Sequence, residues 1–160
     1  MSQNKLEFVV DPVDPIITVR RVVDAPRALV WDCFTKLEHV RRWKGPKGVD
    51  MIECDMDVRP GGTWRVLYRR PDGVEFGFHG EFREVTAPER YVRTFVMASG
   101  DESVETVVLT EAGPGKTLIT TKNTYKTNAI RDAFVQQGSG SGEVMYLRLD
   151  ELLESLKSSR

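Results

Sequence analysis

The sequence has few cysteines and histidines, and it has no excess of charge of either sign. Its two cysteines, Cys33 and Cys54, lie far apart in the chain, and its two histidines, His39 and His79, are not spaced as ligands. Such a set provides neither a disulfide framework nor the clustered ligands of a metal site. We therefore predict two buried free thiols in a reducing compartment, no metal and no cofactor.

The charged residues are nearly balanced, with 23 lysines and arginines against 24 aspartates and glutamates. A nucleic-acid-binding protein usually carries a basic excess on one face, so this class is disfavoured. No apolar run approaches the length of a membrane span, and the N-terminal stretch lacks the architecture of a signal peptide. We expect a cytoplasmic protein, monomer or homodimer, with no nucleic-acid partner and no membrane span.

The length of 160 residues suffices for one domain with a proper core. Residues 1–15 include Pro12 and Pro15, which block regular strand pairing, so we predict a loosely packed lead-in there. The rest of the chain contains no internal repeat and no linker that would separate two domains. We therefore predict a single domain over residues 16–158.

Most of that domain has the sequence pattern of strands. Residues 16–23 are a β-branched run, and from residue 49 to residue 125 apolar and polar side chains alternate with a period of two. Turn signals such as Pro71-Asp72-Gly73 interrupt the alternation at short intervals. The pattern predicts about seven strands, joined mostly by hairpins into one antiparallel sheet.

Helical patterns are confined to a few places. Asp24-Ala25-Pro26 begins one short helix, and a second covers Leu37–Trp43 before the breaker Gly45-Pro46. One or two helical turns are expected over residues 128–137. The glycine- and serine-rich residues 138–142 then suggest a kink or a mobile gate between this helix and the last one.

The last helix is predicted over residues 142–156, because its apolar residues recur at steps of three and four. These residues are Met145, Leu149, Leu152, Leu153 and Leu156. One strongly apolar helix after a long antiparallel meander is typical of a curved sheet whose concave face is filled by that helix. The expected class is therefore α+β.

Several motifs, taken in order, resemble a known family. They are ITVRRVVDAPRALVWDCFT, RRWKGPKG, DMDVRPGGTW, PDG, FHGEF and IRDAFVQQG followed by RLDELL. They are similar to the START/birch-pollen-allergen-like superfamily, in the branch related to the C-terminal domain of the activator of heat-shock protein 90 ATPase. The resemblance covers nearly the whole chain.

This resemblance implies the helix-grip fold. In it, a curved antiparallel sheet wraps around a long C-terminal helix, two short helices follow the first strand, and the sheet and helix enclose a hydrophobic cavity. Some relatives in the wider superfamily bind lipids, hormones or polyketides, and some are cyclases or aromatases.

Large apolar side chains are the candidate ligand-binding residues. They would line the space between sheet and helix, which is the usual place for an apolar pocket, and for each of them the alternative is simple core packing. The predicted cavity-lining residues are Trp43, Trp64, Tyr68, Phe76, Phe78, Phe82, Phe95, Met145, Tyr146 and Leu149. Trp43 is expected to close the open end of the cavity. Beside it, Lys44 stands where many relatives carry a second tryptophan or similar bulk.

In a strand, Arg93 would lie on the same face as Tyr91, Phe95 and Met97, because alternate residues face the same side. If its side chain points inward, it must be paired or must meet an anionic ligand, because an isolated buried charge is too costly. If it lies on the rim of the sheet, it has no functional meaning. The sequence leaves both alternatives open.

Three functions remain as hypotheses. We favour a binding protein that takes a small hydrophobic or amphipathic ligand into its interior. The first alternative is an interaction protein with a chaperone partner, as in the activator of heat-shock protein 90 ATPase. The second is a cyclase- or aromatase-like enzyme, which would need convergent polar groups of shifted pKa inside the cavity. The spacing of residues shows no nucleophile with a base and an orienting group, so no catalytic residue is predicted.

Overall fold

The computed structural model describes residues 5–45, 48–97, 99–136 and 143–158. The predicted kink or mobile gate at residues 138–142 therefore lies outside the described residues. No helix in the described ranges has the length and apolar character needed to cross a bilayer.

The chain forms an α+β fold, as predicted. Its elements in order are β1 (Glu7–Val10), β2 (Ile16–Val23), α1 (Arg27–Thr35), α2 (Leu37–Trp43), β3 (Asp50–Met56), β4 (Thr63–Arg69), β5 (Glu75–Thr86), β6 (Arg90–Val96), β7 (Glu102–Glu111), β8 (Thr117–Thr124), α3 (Asn128–Gln136) and α4 (Glu143–Ser158).

The strands form one antiparallel sheet in the order β1-β2-β8-β7-β6-β5-β4-β3. Its eight strands exceed the predicted number of about seven because β1, a four-residue strand too short for a clear alternation, was not expected. The chain folds back after β1 where the Asp11 carboxylate accepts backbone N–H groups of Val13 and Asp14. Val10 consequently lies opposite Ile17 at the edge of the sheet.

One face of the sheet is apolar and packs against the helices. On β4, Trp64, Val66 and Tyr68 are buried, whereas the intervening Arg65 and the following Arg69 are exposed. The same alternation continues into β5, because the register places Phe78 opposite Val66 and Phe76 opposite Tyr68. The period-two pattern of the sequence thus defines the concave face directly.

Helix α4 lies against this concave face, as the helix-grip fold requires. Leu149, Leu152 and Leu153 are at most 2% exposed and belong to the same hydrophobic core as the strand residues. Arg21 of β2 fixes the helix to the sheet by donating from both terminal nitrogens to the Asp150 carboxylate, each at 2.7 Å. The opposite side of the helix exposes Leu147 to solvent.

Candidate functional site

A pair of charged residues lies on the apolar face of the sheet. The register places Arg93 of β6 opposite Glu105 of β7, and both lie on the same face of their strands as the core residues Tyr91 and Val107. They are 5% and 7% exposed, and the Arg93 Nε–H donates to Glu105 Oε1 at 2.5 Å. Of the two alternatives left open by the sequence, the structure therefore shows the inward one, with a carboxylate partner.

Aromatic rings surround the Arg93 guanidinium. Its central carbon lies 3.8 Å from the centroid of the Trp64 ring, which allows a cation–π contact, and the rings of Tyr91 and Phe82 lie 5.3 and 5.8 Å away. Gly80 makes room for this arrangement, since a Cβ there would lie 2.7 Å from Trp64 Nε1. The indole N–H donates to the Thr94 carbonyl at 2.9 Å, which fixes the ring under the guanidinium.

A second cation, the half-buried Lys44, follows the end of α2 and acts on the Glu105 carboxylate. Its amine lies 4.9 Å from the centroid of the Trp43 ring and 5.0 Å from that of Phe34. Within the part of the chain that the structure describes, no carboxylate forms an ion pair with it. Burial lowers the pKa of the Lys44 amine to about 8, and the attraction of Glu105 opposes this shift only in part.

Arg148 of α4 brings a third cation to this region. One of its terminal nitrogens donates to the Gly45 carbonyl, while its Nε is buried without a hydrogen-bond partner among the described residues. Gly45 in turn lies against Tyr68, because a Cβ at this glycine would lie 2.8 Å from the Tyr68 ring. The segment that carries Lys44 is therefore held between α4 and the sheet.

The described charges of this interior are unbalanced. Two cations, Arg93 and Lys44, act on the Glu105 carboxylate, and Arg148 acts together with Arg93 and Glu105 on Tyr68. Arg93 and Glu105 are buried, whereas Lys44 and Arg148 are half-buried. Burial alone would raise the pKa of Glu105, but the attraction of Arg93 and Lys44 prevails and holds it below its usual range. Glu105 is thus ionised at neutral pH, and the cluster retains an excess of positive charge.

A cavity of about 120 Å³ adjoins this cluster. It lies where the ends of β6, β7 and β8 approach α3, and Glu105 forms part of its wall. The cavity is lined by Phe95, Met97, Ser103, Glu105, Asn123, Tyr125 and Phe134. Its walls therefore combine aromatic rings with a few polar groups, which is the usual chemistry of a small-molecule site.

Aromatic side chains continue from the cavity across the sheet. The Phe95 ring, which lines the cavity, lies 4.8 Å from the Phe78 ring between centroids, and Phe78 lies 5.9 Å from Phe76. All three side chains are half-buried, so each keeps part of its ring surface uncovered by protein. This strip extends the apolar surface beyond the cavity itself.

The structure distributes the ten predicted cavity-lining residues over two environments. Six are buried in the hydrophobic core, and four are half-buried beside it; among the ten, Phe95 lines the cavity described above. The buried residues are Trp43, Trp64, Tyr68, Phe82, Tyr146 and Leu149, and the half-buried ones are Phe76, Phe78, Phe95 and Met145.

Trp43 illustrates the core environment. It is fully buried, its ring lies 4.8 Å from that of Phe34 between centroids, and its Nε1–H donates to the Cys33 carbonyl at 2.8 Å. Cys33 and Cys54 are both buried and form no disulfide. Burial raises the pKa of the Cys33 thiol to about 12, so this thiol is not an activated nucleophile.

Glu105 and Lys44 are not among the residues that the sequence predicts for the site. The sequence does contain an indication of Glu105. The alternation along β7 places Ser103 and Glu105 on the same face as the buried Val107 and Leu109. This pattern predicts an ion pair, because a carboxylate at an inward position lies opposite an inward arginine on the preceding strand. For Lys44 no comparable signal exists, since its direction is set by where α2 ends.

Residues 24–154 match the sequence model of the family described as activator of Hsp90 ATPase homolog 1-like protein. The chain belongs to this family. The resemblance derived from the sequence motifs is thereby confirmed.

Solved structures of bacterial proteins share the fold. A Rhodobacter sphaeroides protein is 23% identical, with a TM-score of 0.86 over 95% of this chain and 99% of its own. For a Nitrosomonas europaea protein the identity is 25% and the TM-score 0.82, over 92% and 99% of the two chains. A Mycobacterium smegmatis protein is 21% identical, with a TM-score of 0.81 over 93% of this chain and 97% of its own. No curated protein sequence matches this chain.

Proposed function

We propose that this protein binds a small amphipathic molecule in the interior between the sheet and the helices. The observation that carries the proposal is the buried Arg93–Glu105 pair, which lies in an apolar core beside a cavity and has the half-buried Lys44 and Arg148 nearby. A ligand that supplies both apolar surface and polar groups would complement this interior.

Stability alone gives a poor reason for such a cluster. Removing charges from water is costly, and replacing a buried ion pair by apolar residues is often neutral or stabilising. Here the Arg93–Glu105 pair is accompanied by two further cations that have no carboxylate of their own among the described residues. Ionisable groups with shifted pKa beside a cavity are more typical of a binding or catalytic site.

Native mass spectrometry tests the proposal. We expect the purified protein to retain a small molecule, so that the mass under native conditions exceeds the mass under denaturing conditions by that of the ligand. Equal masses under both conditions would argue against a retained ligand.

A matched pair of variants locates the retained molecule. Asn123 lines the cavity, whereas its neighbour Lys122 is exposed on the other face of β8. Asn123→Phe should fill the cavity and abolish the mass difference, and Lys122→Phe should preserve it. Loss of the ligand in both variants, or in neither, would place the molecule outside this cavity.

A catalytic role is a second candidate, favoured by the convergence of Lys44 and Glu105. Both groups have shifted pKa values inside the fold, as the enzyme hypothesis requires. If the retained molecule is a substrate, wild-type protein should convert it when the two are incubated, and Lys44→Met should not. Chromatography of the released molecule before and after incubation distinguishes conversion from binding alone.

A chaperone contact is a third candidate, suggested by the name of the family. The feature of this chain that favours it is the exposed apolar pair Val144 and Leu147 on α4, which are 41% and 54% exposed. Two such residues are a small patch, and isolated exposed apolar side chains are common. The ATPase rate of Hsp90, measured with and without this protein, tests the contact; an unchanged rate would exclude activation.

A further inference from the structure

The charge of the interior restricts the chemistry of the ligand. Arg93 and Lys44 both act on the single carboxylate of Glu105, and Arg148 acts together with Arg93 and Glu105 on Tyr68. Arg93 and Glu105 neutralise one another through their hydrogen bond. The half-buried Lys44 and Arg148 have no described carboxylate as a partner, and a cation that is partly removed from water without a counter-charge is costly.

We infer that the ligand carries an acidic group, such as a carboxylate, and that the Lys44 amine binds this group. The inference rests on the proposed function and specifies the ligand class for the same interior. An anion beside Lys44 would compensate the excess charge and form charge-assisted hydrogen bonds. The ammonium group has three N–H donors, none of which has a described protein acceptor.

The surroundings of Lys44 suit a molecule with one charged end. The amine lies against the rings of Trp43 and Phe34, so apolar surface adjoins the charge. Lys44 does not itself line the cavity, but Glu105 does, and the charge of Glu105 attracts the Lys44 amine. The apolar part of the ligand would then contact Phe95 and the aromatic strip that continues from it.

The opposite assignment, a cationic ligand, is also chemically conceivable. Glu105 and the rings of Phe95, Tyr125 and Phe134 line the cavity, and aromatic rings with a carboxylate can bind an ammonium group. However, the negative charge of Glu105 is already matched by Arg93. A cation would increase the positive excess, whereas an anion decreases it, so the anion is favoured.

Three probes of similar size and different charge test the inference. An engineered apolar cavity of about 150 Å³ binds benzene, so a single ring is a suitable apolar part for a cavity of this class. Phenylacetate, 2-phenylethanol and 2-phenylethylamine carry a negative, a neutral and a positive end. Isothermal titration calorimetry at pH 7 should show phenylacetate binding about tenfold or more tightly than the alcohol, with the amine weakest.

Lysine variants assign the effect to one amine. Lys44→Met should reduce the affinity for phenylacetate about tenfold and leave that for 2-phenylethanol unchanged, because only the charged contact is lost. The control Lys36→Met removes an exposed lysine that pairs with Asp32 and should change neither affinity. Since methionine retains most of the apolar stem of lysine, we expect the Lys44 variant to fold.

The outcomes separate this inference from the proposed function. If acid and alcohol bind equally, or if Lys44→Met does not weaken phenylacetate binding, the inference is wrong and the interior site stands. Tightest binding of the amine would overturn the inference in favour of a cation site at Glu105. If none of the three probes binds, the proposed function fails together with the inference.

Discussion

At the scale of single residues, the Arg93–Glu105 pair is the feature with the largest energetic consequence. Its two charges are held away from water by the strands on either side and by the helices above them. Each charge is tolerable only because the other is present. Removing one partner therefore has a different effect from removing both.

Arg93→Ala should destabilise the protein by about 3–5 kcal/mol, because Glu105 would remain buried without its partner. The double variant with Arg93→Met and Glu105→Leu should lose far less, since no isolated charge remains. Urea denaturation monitored by circular dichroism measures both free energies of unfolding.

Arg69 and Glu75 provide the control for this comparison. They also pair across neighbouring antiparallel strands, but their side chains are 51% and 42% exposed. Arg69→Ala should cost no more than about 1 kcal/mol, as is usual for surface ion pairs. An equal loss in Arg69→Ala and Arg93→Ala would show that burial of the interior pair is not the cause.

Lys44→Met should stabilise the unliganded protein at pH 7 by about 1 kcal/mol, because the cost of partly burying a cation without a carboxylate partner is removed. The folded pKa of about 8 lies below the ordinary value of 10.5. Protonation of Lys44 therefore opposes folding below pH 8. The free energy of unfolding of the wild type should increase as the pH rises from about 8 to 10.5.

The measurement for this prediction is the free energy of unfolding of both proteins at pH 7 and at pH 10. The advantage of Lys44→Met should be largest at pH 7 and should shrink at pH 10, where the wild-type amine is neutral in the folded state. A variant less stable than the wild type at pH 7 would mean that a partner already compensates this charge.

At the scale of elements, the period-two alternation of β5 decides which side chains can contact the interior. Phe78 and its neighbour His79 point to opposite faces, so that Phe78 is half-buried among aromatic rings and His79 is exposed. Phe78→Asp should cost about 3 kcal/mol, because it places an unpaired carboxylate on the apolar face.

His79→Asp serves as the matched control, one residue away on the same strand. It should change the free energy of unfolding by about 0.5 kcal/mol or less, as exposed substitutions usually do. Thermal unfolding of both variants compares them directly. If Phe78→Asp were as stable as His79→Asp, the assignment of the apolar face of β5 would be incorrect.

Helix α4 contributes to stability through one side only. Leu149 is fully buried, and its replacement by alanine should cost about 2–5 kcal/mol through lost contacts and the cavity left behind. Leu147 on the same helix is 54% exposed, and Leu147→Ala should have an effect of about 0.5 kcal/mol or less. Chemical denaturation of the two variants tests whether the helix packs into the sheet as described.

At the scale of the whole molecule, the sequence predicts the fold better than the site. The helices and seven of the strands follow from periodicity and turn signals, because burial on one face imposes a repeat that a single chain displays. The short β1 was missed because pairing with Ile17 and its neighbours, rather than its own pattern, makes it a strand.

The site could not be predicted to the same extent, because its members come from α2, β6, β7 and α4. Arg93 was recognised as a residue that must be paired if it points inward, but its partner depends on the register of β6 against β7. The position of Lys44 depends on the end of α2, and that of Arg148 on how α4 crosses the sheet. Tertiary packing, not local spacing, brings these groups together.

The measurement that tests the central claim most directly is a titration of the ¹⁵N-labelled protein with phenylacetate, followed by ¹H–¹⁵N correlation spectra. An acid bound in the interior should shift the amide signals of Lys44 and of residues on the cavity strands, such as Phe95, Glu105 and Asn123. Signals of exposed residues on α4, such as Val144 and Leu147, should stay in place. Shifts confined to that exposed helix face, or no shifts at all, would contradict an interior site for an acidic ligand.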